Sequence, residues 1–393
     1  MASGLTAVIM TGGGGQTQVE QLVSGAREAV TRDTVEKLLQ VESIERVVVA
    51  TDSPALASSL ATCTRQGDGS VIVEVDSPIG RFHFGQRLSR IIADHEIERC
   101  LYIGGGSGPL LTVEGWGEIA AKLADVDDMV IANNLYSTDF AAWAPAAALG
   151  RVSLKTDNDL AWRLHFDAGL PARALPRSAA TELDVDTPTD LMTLKLHPDC
   201  GPHTRQYLEG LKLDTSALEQ VLDVLLDREA EVLVAGRVSA EAAAYLQAEA
   251  LCRKRILAEE RGMRASGRQA RGEVRSLLGV LLDDRGPRGF FDTLSQIGDA
   301  LILDSRVILA HRRSWPSAAD RFHSDLRQPE RMKAPCLREF TAAAIEASIP
   351  VVLGGHSLVS GGLWALVDAA WSRVEGEVPR LRVPLELRRN KLI

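Results

Sequence analysis

Three carboxylates, Asp184, Asp186 and Asp190, fall within seven residues of the stretch Glu182-Leu183-Asp184-Val185-Asp186-Thr187-Pro188-Thr189-Asp190-Leu191. In an extended segment, residues two apart point to the same face, so Asp184 and Asp186 converge. Two convergent carboxylates suit a hard divalent cation such as Mg2+, which keeps several waters and takes one or two carboxylates plus substrate phosphates. Asp184 and Asp186 are therefore the candidate metal ligands and catalytic residues. Thr187-Pro188 reads as the start of a helix, with Thr187 as N-cap, Pro188 as first helical residue and Asp190 at the third position. A capping arrangement alone accounts for Thr187 and Asp190 but has no need of Asp184 and Asp186.

The elements that would position these carboxylates lie upstream. Leu5–Met10 is a short apolar run with β-branched residues, a buried strand, and it ends in Thr11-Gly12-Gly13-Gly14-Gly15-Gln16. Backbone N–H groups of Gly12, Gly13, Gly14 and Gly15 can approach a phosphate closely, although the pattern is neither a P-loop nor a dinucleotide fingerprint, and a loop without a ligand has the same composition. A helix is expected over 26–41. Strands are expected at Arg46–Asp52, Val71–Val75, Cys100–Ile103 and Met129–Ala132, with helices over Phe84–Asp94 and, capped by Thr112, over Glu114–Leu123. Strands alternating with helices at this spacing argue for an α/β fold, a mostly parallel sheet with helices on both faces. Ligands of such sheets bind beyond the carboxyl ends of the strands. Gly12–Gly15, Gly104–Gly108 and Asn133–Asp139 all sit at such ends and are expected to share one cleft.

The chain has 393 residues, 45% hydrophobic and 25% charged, with a formal net charge of −9. That suits a soluble protein of two domains. Residues 1–200 hold 16 Lys+Arg against 27 Asp+Glu, and residues 201–393 hold 28 against 26. The shift places a domain boundary near residue 200, with a helix-rich α/β domain over 201–393. A chain this acidic is a poor general nucleic-acid binder. No apolar run is long enough for a membrane span, and no basic segment precedes an apolar core, so a cytoplasmic location is expected. The five cysteines, Cys63, Cys100, Cys200, Cys252 and Cys336, are odd in number and far apart, as reduced thiols would be. The sequence leaves room for a homo-oligomer.

The glycine-rich loop after strand one, the Pro109-Leu110-Leu111-Thr112 helix start after a central strand, and Asp184-Val185-Asp186-Thr187-Pro188-Thr189-Asp190-Leu191 together resemble nucleotidyltransferases of the glycosyltransferase-A type. Within them, they resemble the branch holding molybdenum-cofactor guanylyltransferase and 2-phospho-lactate guanylyltransferase. The resemblance covers roughly the first half of the chain, and the Asp-Val-Asp-Thr-Pro piece is its most specific part. It implies transfer of a nucleotidyl group from a nucleoside triphosphate to a phosphorylated small molecule, with release of pyrophosphate and Mg2+ between the phosphates. Such transfer needs mainly positioning and charge neutralisation. Ser107, Asn134 and Asp139 are the expected acceptor contacts, since hydroxyl, amide and carboxylate groups read hydroxyls. Asn133, Asn134 and Asp139 would equally form an Asx-turn network. Two departures stand out. The family's first loop carries an Arg and then a Lys for the triphosphate, and here the first cation is Arg27. The family also carries an Asp before Pro-Leu-Leu-Thr, where this chain has Gly106-Ser107-Gly108. A degenerate fold that binds a nucleotide or acts as a scaffold is therefore the alternative. Lys155, near Asp157 and Asp159, reads as part of a surface charge cluster.

In the second half, Val232–Gly236 and Pro350–Gly354 read as strands, Leu301–Leu303 and Val307–Leu309 as apolar segments, and Ser239 as the cap of a helix reaching about Glu260. His197, Cys200 and His203 look evenly spaced for a metal, but Pro198 and Pro202 prevent a helix that would align them. Arg264, Arg268, Arg271 and Arg275 would form one stripe on a helix that Gly262, Gly267 and Gly272 weaken. Gly355-His356-Ser357, between a strand and a helix expected over Leu358–Arg373, reads as an anion site at a helix N-terminus or as a plain turn with Ser357 as cap. No histidine follows Ser357, so the Ser-acid-His order of an α/β-hydrolase is impossible. An enzyme of the second domain acting on a phosphorylated ligand is the remaining reading.

Overall fold

The structure, a computed structural model, describes residues 4–61, 70–76, 82–124 and 126–374; Cys63 and the N-terminal residues 1–3 lie outside the described residues. Cys100, Cys200, Cys252 and Cys336 are free thiols.

Two sheets organise the chain. The first contains β1 (Leu5–Thr11), β2 (Ile44–Thr51), β3 (Ser70–Val75), β4 (Arg99–Gly104), β5 (Met129–Ala132), β6 (Phe140–Ala144) and β7 (Ala172–Ala174), in the order β3-β2-β1-β4-β6-β5-β7. β1, β2, β3 and β4 run parallel, with Val8 paired to Val48 on one side and to Tyr102 on the other. β6 is antiparallel to both β4 and β5. The central strands are buried on both faces, which is why they are continuous apolar runs in the sequence. The second sheet contains β8 (Glu231–Gly236), β9 (Arg253–Ala258), β10 (Ala300–Asp304) and β11 (Val351–Gly354), all parallel, in the order β11-β10-β8-β9. The fold class is thus α/β with two mostly parallel sheets.

Several expected elements differ. The first helix runs over Gln18–Leu38 instead of 26–41, because Thr17 and Glu20 form a capping box that starts it immediately after the glycine loop. The helix capped by Ser239 stops at Glu249, and Arg253–Ala258 becomes the edge strand β9. Residues 261–275 form turns and not a helix: Gly262, Gly267 and Gly272 take φ of 76°, 71° and 65°, so the four arginines make no helical stripe. Val307–Leu309 lies in the short helix Ser305–His311.

The helix Pro202–Glu209 packs on Gln18–Leu38: Asp33 accepts hydrogen bonds from the Thr204 hydroxyl (2.6 Å) and from the His203 and Thr204 amides, and Tyr207 donates to the Leu22 carbonyl. His203 pairs with Glu36 and His197 accepts from the Asp199 amide, so these residues serve local structure. A single buried cluster then joins Val23, Val30, Leu110, Val185, Leu191 and Leu208 to Ala365 of the second half.

Candidate functional site

In the first sheet the strand order reverses between β1 and β4, the position where an open α/β sheet leaves a crevice beyond its carboxyl ends. Glycines let the two strand ends meet there. A Cβ on Gly105 would lie 2.2 Å from the Thr11 hydroxyl oxygen. The Gly105 amide instead donates to the Met10 carbonyl at 2.9 Å. In front of β1, Gly12, Gly13 and Gly14 are exposed, and nothing lies within 4 Å of a Cβ built on Gly13 or Gly14. The Gly13 amide donates to Asp52 at the end of β2 (2.9 Å).

The acidic segment crosses this crevice. Ser107 and Asp184 form an isolated antiparallel bridge, and the Ser107 hydroxyl donates to Asp184 Oδ1 at 3.2 Å. Arg27 donates from Nε to the Val185 carbonyl (2.6 Å) and from Nη2 to Asp186 Oδ1 (2.7 Å). Below the surface, Asp190 Oδ2 accepts from the Asp186 amide (3.0 Å), the Thr187 amide (2.7 Å) and the Thr187 hydroxyl (3.0 Å). Asp190 is therefore the buried residue that shapes the turn, as its capping position suggested.

A polar cavity of about 200 Å3 results, lined on its acidic side by Asp139, Asp157, Asp184 and Asp186. Tyr102 donates to Asp157 (3.0 Å), and Asn133 donates to Asp139 (2.7 Å). Burial, and then the charges of Asp186 and Asp157, push Asp139 up to about 8. Burial, then Asp186 and Asp139, raise Asp184 well above the usual carboxylate range. Burial and Asp186 bring Asp190 up to about 7. The Arg27 guanidinium is the cavity's cationic lining group among the described residues, and it already holds Asp186. A larger depression of about 580 Å3, lined mainly by Ile92, Ala93, Ile97, Ala146, Ala147 and Leu149, lies elsewhere and gathers no comparable set of polar groups.

No three His, Cys, Asp or Glu side chains among the described residues form a metal-binding group as they stand. The cavity nonetheless fits a hydrated divalent cation in its donor chemistry. It offers oxygen ligands only, its raised carboxylates would ionise readily beside a cation, and Mg2+ needs just one or two carboxylates from the protein. Asp184 and Asp186 would hold it.

The structure therefore brings together Asp184, Asp186, Ser107, Asp139 and Gly12 of the residues expected from the sequence. Gly13, Gly14 and Gly15 continue the loop outside the cavity lining. Asn134 is not among the lining residues either: its side chain accepts from the Tyr136 amide and closes an Asx turn. Tyr102, Asp157, Arg27 and Asp52 were not anticipated as site residues, although the Arg27 position as first cation was visible. Lys155 is exposed.

The second sheet also reverses its order, between β8 and β10, and an arginine–aspartate pair with a buried carboxylate lies at these strand ends. Arg237 donates to Asp304 from both Nε (2.5 Å) and Nη2 (3.0 Å), and a Cβ on Gly236 would lie 2.4 Å from Asp304 Cβ. Gly355-His356-Ser357 does not open a helix N-terminus. Ser357–Val359 is a single 3-10 turn, the helix begins at Gly361, and the Ser357 hydroxyl donates to the Asp184 carbonyl at 2.9 Å. Burial and then the Arg237 charge press the His356 imidazole down to about 4, against 6.5 ordinarily. The folded chain thus takes up this proton at lower pH than the unfolded chain. Stability present above about pH 6.5 is lost as pH falls toward 4, by roughly 3 kcal/mol at most. His356→Gln is expected to flatten that limb in urea unfolding at pH 7.5, 6 and 4.5; an unchanged slope would remove His356 as its source.

No protein-family model matches the sequence, and a search of curated proteins finds no match. Among solved structures, the first half is similar to CMP:2-keto-3-deoxy-manno-octonic acid synthetase complexed with CTP (14% identity, TM-score 0.36, 49% of this chain and 97% of that chain). It is also similar to a cytidylyltransferase from Leptospira borgpetersenii (13%, 0.36, 52% and 92%). A third is 4-diphosphocytidyl-2C-methyl-D-erythritol synthase from Anaerococcus prevotii (13%, 0.34, 48% and 95%). Resemblance at these values establishes neither activity nor substrate; the first half of the chain resembles nucleotidyltransferases in solved structures.

Proposed function

We propose that the β1–β4 crevice is a nucleotidyltransferase site that joins a nucleoside triphosphate to a phosphorylated small molecule. The observation that carries this reading is the convergence of Asp139, Asp157, Asp184 and Asp186 beside an open glycine loop, on one cavity at the sheet's switch point. Burial, and then their mutual charge, raise Asp139, Asp157 and Asp184, which favours a divalent cation, and a cation-loaded cleft at strand ends suits a polyphosphate. In the reaction an acceptor phosphate oxygen attacks the α-phosphorus, the bond to the β-phosphate oxygen breaks, and pyrophosphate leaves. Mg2+, when bound, neutralises charge on the phosphates. Asp184 and Asp186 would hold it, the amides of Gly12 and Gly14 would face the donor, and Ser107 with Asp139 would lie toward the acceptor.

One observation favours a second reading, a nucleotide-binding scaffold without turnover. The Gly13 amide is already held by Asp52, and Arg27 by Asp186 and the Val185 carbonyl. A thermal-shift panel of nucleoside triphosphates with and without Mg2+, followed by a pyrophosphate-release assay, separates the two. A ligand at 100 times its dissociation constant is expected to stabilise the fold by about 2.7 kcal/mol. A Mg2+-dependent shift with pyrophosphate release supports transfer. A shift without release supports the scaffold, and no shift with any triphosphate removes both.

A further inference from the structure

An acidic cavity that receives phosphates needs positive charge from somewhere, and Arg27 is already committed. The second half supplies two arginines that hold no carboxylate, Arg264 and Arg321, the latter donating from Nη1 to the Pro316 carbonyl and lying within reach of the Glu20 charge. Trp315 is 37% exposed, and two guanidiniums lie over it, with Arg264 Cζ 5.8 Å and Arg321 Cζ 4.9 Å from its ring centroid. Among the described residues neither makes an ion pair, in contrast to Arg268 and Arg271, which lie on Glu260 and Glu273. The nearby Asp325 is taken by Arg306 through two hydrogen bonds of 2.6 and 2.5 Å.

The support beneath the pair is built. The turn carrying Arg264 is anchored by Met263, which is fully buried with Val274, Val307 and Ala310. It is tied further by the two-pronged pairing of Arg268 with Glu260. Ser317 caps the helix Ala318–Asp325 that carries Arg321. That helix packs on the start of the helix that follows the glycine loop, with Ala319 and Phe322 in the same apolar cluster as Val19 and Leu22. Arg321 thus sits near Glu20, three residues into the helix whose N-cap is Thr17. Burial, and then the charges of Arg306 and Arg264, lower Arg321 to about 10, which an arriving anion would reverse.

We infer that Arg264 and Arg321, held against Trp315, form a phosphate-binding site that the second half presents to a ligand lying over Gly12–Gly15. Two planar guanidiniums offer forked donors that match phosphate oxygens, and the indole face keeps them in place before the ligand arrives. The identity of the ligand rests on the reading of the cavity as a nucleotidyltransferase site; the anion site itself does not. Either the triphosphate of the donor or the phosphate ester of the acceptor supplies the same chemistry.

Titration calorimetry of the full chain with tripolyphosphate and with glycerol 3-phosphate, at low salt, distinguishes these sources. The double variant Arg264→Ala/Arg321→Ala is expected to weaken one of them at least tenfold, and Arg264→Lys/Arg321→Lys to weaken it less. A loss confined to tripolyphosphate assigns the site to the donor; a loss confined to the monoester assigns it to the acceptor. Trp315→Phe is expected to remove the fluorescence change on binding. Unchanged affinity for both anions in the Ala double variant overturns the site. If pyrophosphate release then persists with unchanged KM, the site fails while the transferase reading stands. If the anion affinity drops but no triphosphate ever yields pyrophosphate, the site stands and the transferase reading fails.

Discussion

Asp184→Asn is expected to make the folded protein more stable at pH 8 while lowering nucleotidyl transfer at least about 100-fold. Both halves of this result come from one cluster. Asp184 shares its cavity with Asp139, Asp157 and Asp186, and burial with the Asp186 charge raises it well above the usual carboxylate range. An acid whose folded pKa is raised contributes stability at low pH that is lost as pH rises through the raised value. Asparagine keeps the oxygen that accepts from Ser107 and removes the ionisation. The gain is expected to be roughly 0.5–2 kcal/mol at pH 8 and to vanish near pH 4, read by urea unfolding at both. Without the carboxylate, the site has one acidic ligand fewer for a cation, so transfer falls. A variant that is less stable at pH 8, or one that turns over at the wild-type rate, contradicts the assignment. Stability rising as activity falls marks a residue kept for chemistry.

Gly361→Ala is expected to cost on the order of 3 kcal/mol or more, a large effect for the addition of one methyl group to a helix. In a free helix the same change would gain about 1 kcal/mol through lower unfolded-state entropy and better propensity. Here a Cβ would lie 2.0 Å from the Glu182 carbonyl oxygen, 2.2 Å from its carbon and 2.4 Å from the Leu183 nitrogen. All three are backbone atoms, so the helix Gly361–Arg373 or the acidic segment has to move. Gly150→Ala, where nothing lies within 4 Å, serves as the control and is expected to stay within about 0.5 kcal/mol. A Gly361→Ala loss no larger than the control's would mean that the helix yields freely and that the acidic segment is not held from behind.

What the sequence revealed and what it concealed follow from how far apart the interacting residues are. Buried parallel strands such as β1, β2 and β4 write continuous apolar runs, so they could be read directly. β6 could not: Phe140-Ala141-Ala142-Trp143-Ala144 is mostly alanine, a weak strand former, held by its antiparallel neighbours β4 and β5. β9 was hidden because Arg253-Lys254-Arg255 guards an open edge, and such charge looks like a helix surface. In the site, Asp184 and Asp186 were legible from local spacing. Asp157 and Tyr102 were not, because the fold alone brings residues 55 positions apart into contact. The Arg264–Arg275 spacing had helical periodicity but glycines at positive φ, and backbone conformation overrode the pattern.

The joint between the two sheets decides how a ligand reaches the cavity. Two-part enzymes commonly open like a jaw about a linker and close on their substrate. Here the would-be linker is the helix Pro202–Glu209, fastened to Asp33, and the acidic segment is fastened to the second half at Thr189–Leu353 (2.7 Å) and Ser357–Asp184 (2.9 Å). Opening that jaw would tear the Asp184–Asp190 turn off its backing and expose the common apolar core around Leu191 and Ala365. The joint is a weld and not a hinge. Exposed Gly12 lines the cavity, and an approach past it asks for no movement of either sheet.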